Sequence, residues 1–256
     1  MALMARVLDG GLATALQQEG LPLRTPVNQW LLDLPRLVEH VQRQFVIGGA
    51  QGLLTGTFRT LAPIEPKWQE MSSAAADIAC RAANGEAWVW GSIGPSGANW
   101  EELTEAEHRT WRNAWSGLAQ HIQDRVHGFV LETFVSEEEC RQALEAVKTV
   151  CPDIAVATCL VPNRTGRLHS GEPLRPALDR LRFSGADLVG LNCAPPETIE
   201  RAMPSLKDIG PLWLKPSMSE SWLDSVISFA DQCEWVGGCC GVPQAHIARL
   251  AGQQST

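Results

Sequence analysis

Residues 128–158, GFVLETFVSEEECRQALEAVKTVCPDIAVAT, contain one complete strand–helix–strand unit. The apolar run Gly128–Leu131 predicts a buried strand, and Ile154–Thr158 predicts the next one. Between them, Ser136–Glu139 marks a helix start, because serine caps helix N-termini and glutamate is favoured in the first turn. The unit is about 30 residues long, the usual size of a strand–helix–strand repeat with parallel strands.

The same alternation runs along the whole chain. Apolar residues three and four apart predict further helices around Leu37 to Phe45 and Leu118 to Val126, and Thr104–Glu107 is a second capped helix start. Eight apolar runs predict strands: Arg6–Leu8, Gly52–Thr55, Ala87–Trp90, Gly128–Leu131, Ile154–Thr158, Asp187–Leu191, Leu212–Lys215 and Glu234–Val236. This pattern describes an α/β fold, a single (β/α)8 TIM barrel, whose usual length is about 250 residues. No linker-like segment divides the chain, so we expect one domain over residues 1–256.

Composition and charge narrow the class of protein. The chain has 256 residues and a formal net charge of −8, which disfavours a nucleic acid or an anionic membrane surface as partner. No run approaches the about 18 consecutive apolar residues that cross a bilayer, and residues 1–10 lack the pattern of an export signal. Eight cysteines are too few for a disulfide framework. We therefore expect a cytoplasmic protein with reduced thiols; no part of the sequence indicates an oligomeric state.

Two adjacent cysteines, Cys239 and Cys240, are flanked by glycines in the segment 237–241. Neighbouring side chains of a regular strand point to opposite faces, so a glycine-permitted break in the strand is needed to turn both sulfurs one way. Cys193 follows a predicted strand in the same manner. Three thiolates suit Zn²⁺, and three protein ligands leave a fourth position open, as in catalytic zinc sites. The alternative is that each cysteine is a small buried hydrophobic residue.

Polar and sulfur side chains gather where the predicted strands end. In a (β/α)8 barrel the catalytic residues lie at this C-terminal rim. The rim residues are Asp9, Thr55, Thr57, Ser92, Glu132, Cys159, Cys193, Lys215, Cys239 and Cys240. The three proposed ligands follow strands six and eight, so we expect the zinc site at the C-terminal rim of the strands.

Glycine-rich and polar motifs follow one another in a characteristic order. They are Leu8-Asp9-Gly10-Gly11-Leu12-Ala13-Thr14, Thr55-Gly56-Thr57-Phe58, Gly91-Ser92-Ile93-Gly94-Pro95-Ser96-Gly97-Ala98, Leu131-Glu132-Thr133-Phe134, Gly166-Arg167-Leu168-His169-Ser170-Gly171-Glu172, Gly190-Leu191-Asn192-Cys193 and Gly237-Gly238-Cys239-Cys240-Gly241. Nearly end to end, this set resembles the homocysteine S-methyltransferase family. The cysteine triplet makes the resemblance specific, whereas the glycine-rich third segment alone is a weak signal.

The resemblance implies a mechanism and a ligand set. Cys193, Cys239 and Cys240 correspond to the family's zinc ligands, with homocysteine sulfur in the fourth position. Coordination lowers the pKa of a thiol, so a nucleophile is available near pH 7 to attack a methyl group and give methionine. By resemblance, Asp9 and Glu132 help to hold the amino acid; the alternatives are that Asp9 caps the following helix and that Glu132 pairs with an arginine. Polar residues at the same rim are expected to contribute to substrate binding: Thr55, Thr57, Ser92 and Asn192.

The methyl donor is expected to be a sulfonium. A cationic donor and a thiolate lose charge in the reaction, which a dry pocket favours. S-Methylmethionine is preferred over S-adenosylmethionine because Gly91–Gly97 lacks dinucleotide spacing; betaine is the next choice. Tryptophan faces attract onium cations. Trp30 and Trp100, in or near predicted loops, are therefore candidate donor contacts, although most tryptophans of a barrel pack helices.

Two other functions stay open. A zinc hydrolase would hold water at the metal with Glu132 as base, although three thiolates make zinc a weak Lewis acid. A zinc-binding barrel without catalytic activity is the third possibility.

Two segments differ from the family pattern. Relatives commonly have Asn where Gly56 stands. They also carry a Pro-Asn-x-Gly segment and often a long loop where Lys215–Met218 leads quickly into a helix.

The remaining cysteines and one histidine are not expected to bind metal. Cys159 ends strand five and is read as a buried thiol. We expect His169 to be a solvent-exposed loop residue, since no second histidine accompanies it. The other cysteines fall in or beside predicted helices and are expected to be inert: Cys80, Cys140, Cys151 and Cys233.

Overall fold

A computed structural model of the protein describes residues 4–23 and 25–255. Within these residues eight parallel strands form one sheet in the order β1-β8-β7-β6-β5-β4-β3-β2. A parallel bridge between Leu8 and Gly52 brings β1 beside β2 and closes the barrel. The strands are β1 (Arg6–Val7), β2 (Gly52–Leu54), β3 (Trp88–Ile93), β4 (Gly128–Phe134), β5 (Ala155–Leu160), β6 (Leu188–Asn192), β7 (Leu212–Lys215) and β8 (Cys233–Val236). The (β/α)8 prediction and all eight strand positions are confirmed, with ends that differ by a few residues.

Helices connect the strands on the outside of the barrel. They are α1 (Leu12–Gln18), α2 (Val27–Asp33), α3 (Pro35–Ile47), α4 (Trp68–Ala83), α5 (Glu105–Ile122), α6 (Glu137–Val150), α7 (Leu174–Phe183), α8 (Pro196–Leu206), α9 (Trp222–Ala230) and α10 (Gln244–Ala251). Both helix starts predicted from caps are confirmed. Thr104 and Glu107 form a reciprocal capping box at α5, and Ser136 Oγ accepts the backbone N–H of Glu139 at α6.

The core has two layers. An outer layer of aliphatic and aromatic side chains packs the helices onto the sheet. Inside the barrel a smaller cluster contains the indoles of Trp90, Trp213 and Trp235, whose ring centroids lie 4.8–5.9 Å apart. Large rings fill the barrel, so its interior is packed and leaves the polar site to the rim where the strands end.

The burial of the remaining cysteines and the exposure of His169 agree with the sequence-based predictions. Cys159 is fully buried inside the barrel, and burial raises the pKa of its thiol well above the ordinary value. His169 is exposed in the loop before α7. Cys80, Cys140, Cys151 and Cys233 are unpaired thiols, buried or half-buried. In the part of the chain that the structure describes, no helix is long and apolar enough to span a membrane.

Candidate metal centre

Three cysteine sulfurs meet at the C-terminal rim of the barrel. The Sγ atom of Cys193 lies 3.1 Å from that of Cys239 and 3.6 Å from that of Cys240, and the remaining pair is 4.0 Å apart. Tetrahedral zinc with Zn–S bonds of about 2.3 Å requires sulfurs about 3.8 Å apart. Small shifts of the side chains therefore bring all three sulfurs to ligand distance around one ion, and the cluster fits a thiolate-binding metal.

Backbone geometry explains how three sulfurs from two loops converge. Cys193 directly follows β6 and adopts φ of 55°, in the left-handed region that few residues other than glycine enter. Gly237 directly follows β8, where a Cβ would lie 2.6 Å from Cβ of Leu8. Only glycine permits this approach of the chain to Leu8, the residue after β1. Close packing on Leu8 is thus the reason for glycine at this position.

The short loop 216–221 between β7 and α9 braces both ligand loops. The backbone N–H of Cys239 donates to Pro216 O at 2.8 Å, and that of Met218 donates to Cys240 O at 2.8 Å. Ser217 in turn donates its N–H to Ala194 O, next to Cys193, at 2.9 Å. This loop therefore fixes the position of the cysteines, and its six residues agree with the predicted short connection.

Without metal the three thiols share their protons unequally. Hydrogen bonds from Cys193 and Cys239 lower the pKa of Cys240 to about 3. The pKa of Cys239 is raised well above its ordinary value by its hydrogen bonds to Cys193 and Cys240 and by burial. One thiolate held by two neighbouring thiols is a ready point of attachment for a cation, and metal binding then releases the remaining protons.

The cysteines open onto a cavity of about 420 Å³. Its wall contains several of the residues predicted from the sequence: Asp9, Thr55, Ser92, Glu132, Lys215, Cys193, Cys239 and Cys240. Thr57 and Asn192 are fully buried behind this wall. A larger cleft of about 740 Å³ lies near the start of β7, at the opposite end of the barrel, and its described lining includes neither cysteine nor histidine. The smaller cavity is therefore the candidate active site.

Glu132 is the carboxylate next to the cysteines that has no ion-pair partner among the described residues. Its Oε1 accepts a hydrogen bond from Ser92 Oγ at 2.5 Å, and its Oε2 accepts one from Asn192 Nδ2 at 3.1 Å. Burial raises the pKa of Glu132, although Lys215 and the Ser92 hydroxyl oppose the shift. The alternative that Glu132 pairs with an arginine is wrong. Its two neutral donors hold the carboxylate in place and leave its charge free to bind a cation.

Buried hydroxyls behind the cavity wall hold Ser92 in position. Thr57 Oγ1 donates to Ser92 O at 2.6 Å, and the N–H of Ser92 donates to Thr55 Oγ1 at 3.0 Å. The two threonine hydroxyls are themselves 2.6 Å apart. Thr57 and Asn192 therefore support cavity residues instead of lining the cavity. Their expected contribution to substrate binding stays a prediction.

Asp9 forms a buried ion pair that sequence reasoning missed. Lys215 Nζ hydrogen bonds to Asp9 Oδ1, and the N–H of Leu54 donates to Asp9 Oδ2 at 2.8 Å. Although burial lowers the pKa of Lys215, the carboxylates of Asp9 and Glu132 more than offset this effect and raise it. The alternative that Asp9 caps α1 is wrong, because Gly11 occupies that position. The expected role of Asp9 in holding an ammonium group stays a prediction; Asp9 lies in the cavity wall, where it is paired with Lys215.

Neither candidate tryptophan reaches the cavity. Trp100 is 3% exposed and stacks on His108, with ring centroids 4.2 Å apart. Trp30 packs against the core from α2. The aromatic ring in the described wall of the cavity is that of Phe58. The expectation that Trp30 or Trp100 contacts the donor is therefore not supported; both tryptophans pack helices.

The family model of homocysteine S-methyltransferase matches residues 6–253. The chain belongs to this family. It is thus a homocysteine S-methyltransferase by family, an enzyme that transfers methyl groups to the sulfur of homocysteine, and the resemblance stated from its motifs is confirmed.

Individual relatives are distant but cover nearly the whole chain. S-Methylmethionine–homocysteine S-methyltransferase BHMT2 of Rattus norvegicus is 25% identical, over 95% of this chain and 76% of its own length. Betaine–homocysteine S-methyltransferase 1 of Bos taurus is also 25% identical, over 95% of this chain and 70% of its own length. The crystal structure of homocysteine methyltransferase MmuM from Escherichia coli, in its metallated form, superposes with a TM-score of 0.82 at 22% identity, over 97% of this chain and 96% of that one. The structural likeness confirms the fold.

Proposed function

We propose that this family member is a zinc-dependent enzyme that moves a methyl group from S-methylmethionine to homocysteine. The observation that carries the proposal is the placement of three convergent thiols and a buried, unpaired carboxylate, Glu132, on one cavity. Sulfur of the acceptor binds at the cysteines and its ammonium binds at Glu132. We further propose that the enzyme works as one domain over residues 1–256 and acts in the cytoplasm, where thiols stay reduced.

Cys193, Cys239 and Cys240 would hold the zinc ion. When bound, zinc supplies a ligand position at which a substrate thiol is kept as a thiolate near neutral pH. The protein residues then orient the acceptor. Ser92 and Asn192 fix the Glu132 carboxylate, so the ammonium of homocysteine is held at one place relative to the cysteines.

The methyl transfer balances in charge and atoms. A bond forms between the acceptor sulfur and the methyl carbon, while the bond between that carbon and the donor sulfonium breaks. The electron pair of the broken bond stays on the donor sulfur, which becomes a neutral thioether. One S-methylmethionine and one homocysteine thiolate therefore give two molecules of methionine, and no oxidant or base beyond the thiolate is required.

The charge of the cavity supports a cationic donor. Asp9 and Lys215 neutralise each other, so Glu132 and the cysteine cluster leave a negative inner wall. This wall favours an onium donor through electrostatics, and the support does not depend on Trp30 or Trp100. S-Methylmethionine stays ahead of S-adenosylmethionine because the short loop 216–221 offers little surface to cover an adenosyl group. Betaine remains the second choice.

The test uses purified protein with zinc, homocysteine and each donor in turn, with methionine as the readout. We expect methionine from S-methylmethionine only when homocysteine is present. Formation from betaine alone would keep the mechanism and change the donor. Product formation that does not depend on homocysteine would favour a zinc hydrolase, and no methionine from any donor would favour a zinc-binding barrel without this activity.

A further inference from the structure

The cavity wall carries polar groups that the proposed acceptor contacts do not use. Arg59 and Asn28 both line this cavity, in the loop after β2 and in α2 respectively. The proposed contacts of the acceptor sulfur and ammonium are the cysteines and Glu132. Two further polar groups of complementary type therefore indicate recognition of a second ligand.

Arg59 is a cation without a partner on a rigid support. Among the residues that the structure describes, none forms a hydrogen bond or ion pair with its guanidinium, and Nη1 lies 3.5 Å from the position that a Cβ on Gly97 would take. The neighbouring Thr57 and Thr60 are fully buried, and Thr60 donates both its N–H and its hydroxyl to Thr57 O at 3.0 Å. The backbone of Arg59 is thus held, while its exposed side chain forms part of the cavity wall.

Asn28 is an amide whose acceptor is unused. Its Nδ2 donates to Glu65 Oε2 at 2.6 Å, which fixes the orientation of the amide, because a carboxylate can only accept. Oδ1 is consequently the atom without a partner among the described residues, and it is buried. Glu65 belongs to the same β2–α4 connection as Arg59, so one segment of chain positions both groups. Buried carbonyl oxygens without a donor are uncommon and call for a ligand or water.

We propose that Arg59 and Asn28 bind the α-amino-acid head of the methyl donor. The guanidinium of Arg59 pairs with the donor carboxylate, for which its planar fork is well suited. Asn28 Oδ1 accepts a hydrogen bond from the donor ammonium. The inference rests on the proposed methyl transfer, and it explains how the enzyme would select its methyl donor. It selects S-methylmethionine over betaine, because betaine has a carboxylate but its quaternary nitrogen has no N–H to donate.

A series of sulfonium donors tests each contact separately. S-Methylmethionine has a carboxylate and an ammonium, dimethylsulfoniopropionate has only the carboxylate, and trimethylsulfonium has neither. We expect Arg59→Gln to lower kcat/KM about 10- to 100-fold for the first two donors and to leave trimethylsulfonium unchanged. Asn28→Ala should lower it about 5- to 10-fold for S-methylmethionine alone. Arg36→Gln, which removes an exposed charge from α3 outside the cavity wall, is the matched control and should change no donor.

Trimethylsulfonium also reports whether each variant is intact, since it needs neither contact. If Arg59→Gln lowers kcat/KM equally for all three donors, or lowers it for none of them, the inference is overturned. The acceptor side is checked with 3-aminopropanethiol, which is homocysteine without its carboxylate. If the effect of Arg59→Gln disappears with this acceptor, Arg59 binds the acceptor carboxylate and the inference is wrong.

Calorimetry of S-methylmethionine binding separates the inference from the proposed function. If no donor is turned over but Arg59→Gln still weakens binding about 10-fold or more, methyl transfer fails as the function and the amino-acid site stands. If turnover is rapid and binding is the same in wild type and Arg59→Gln, methyl transfer stands and the amino-acid site is refuted.

Discussion

Replacing Lys215 with methionine should lower the free energy of unfolding by about 3–5 kcal/mol, the usual cost of leaving one member of a buried ion pair without its partner. The side chains of Lys215 and Asp9 are each 3% exposed, so solvent screens neither charge. In the variant the Asp9 carboxylate would keep only the N–H of Leu54 at 2.8 Å. Methionine has a similar length, so lost packing adds little to the effect.

The measurement is equilibrium urea unfolding at pH 8 with saturating zinc, with metal content checked for each variant. Lys148→Met is the matched control, because it breaks a lysine–aspartate pair of 2.8 Å to Asp187 at the surface. With side chains 21% and 45% exposed, that pair should contribute less than about 1 kcal/mol. Adding Asp9→Asn to Lys215→Met should recover much of the lost stability, because the double variant has no isolated charge.

The stability loss of Lys215→Met should also depend on pH, in a direction set by the pKa of Asp9. An isolated, buried Asp9 has a pKa above its unfolded value of about 3.9, so the folded state holds more protons and stability falls as pH rises above that value. The deficit of Lys215→Met should therefore be smaller at pH 5 than at pH 8. A loss no larger than that of Lys148→Met, or no recovery in the double variant, would refute the ion pair as a stabilising charge pair.

Three further predictions concern the metal and the acceptor. Serine in place of Cys193, Cys239 or Cys240 should abolish stoichiometric zinc, whereas Cys80→Ser should retain it; full zinc by elemental analysis in all three cluster variants would contradict the assignment. Glu132→Gln should raise KM for homocysteine by about 10- to 100-fold with zinc content intact, because it removes the ammonium partner but no ligand; unchanged kinetics would make Glu132 structural. Because burial raises the pKa of Glu132, wild-type kcat/KM for homocysteine should rise with pH through a value above the ordinary glutamate range, and Glu132→Gln should lack this rise.

The fold and the metal cluster could be predicted because their signals are local. Strand and helix periodicity, a serine or threonine cap and a strand end each occupy a few adjacent residues, and the barrel then brings all strand ends to one rim. This reasoning predicts that Cys193 and Cys239 lie together, although 46 residues separate them. The tryptophans illustrate the limit: their position near predicted loops did not reveal that Trp100 faces His108 on α5 instead of the cavity.

Pairing between distant side chains could not be read in the same way. Asp9 and Lys215 are 206 residues apart, and each is recognisable from the sequence as a polar strand end, but nothing in the spacing indicates that they touch. The barrel order explains the contact, because β8 alone separates β1 from β7.

The ion pair changes how the cavity distinguishes its two substrates. If both rim carboxylates were free, two anionic positions could bind ammonium groups, and acceptor and donor amino acids would compete for them. Lys215 removes Asp9 from this competition and leaves Glu132 next to the cysteines as the free inner carboxylate. The unpaired Arg59 and the unused Asn28 acceptor lie in other segments of the same wall. Separate polar groups for the two amino-acid heads would hold the thiolate and the methyl sulfonium in one order, which is the condition for an in-line transfer.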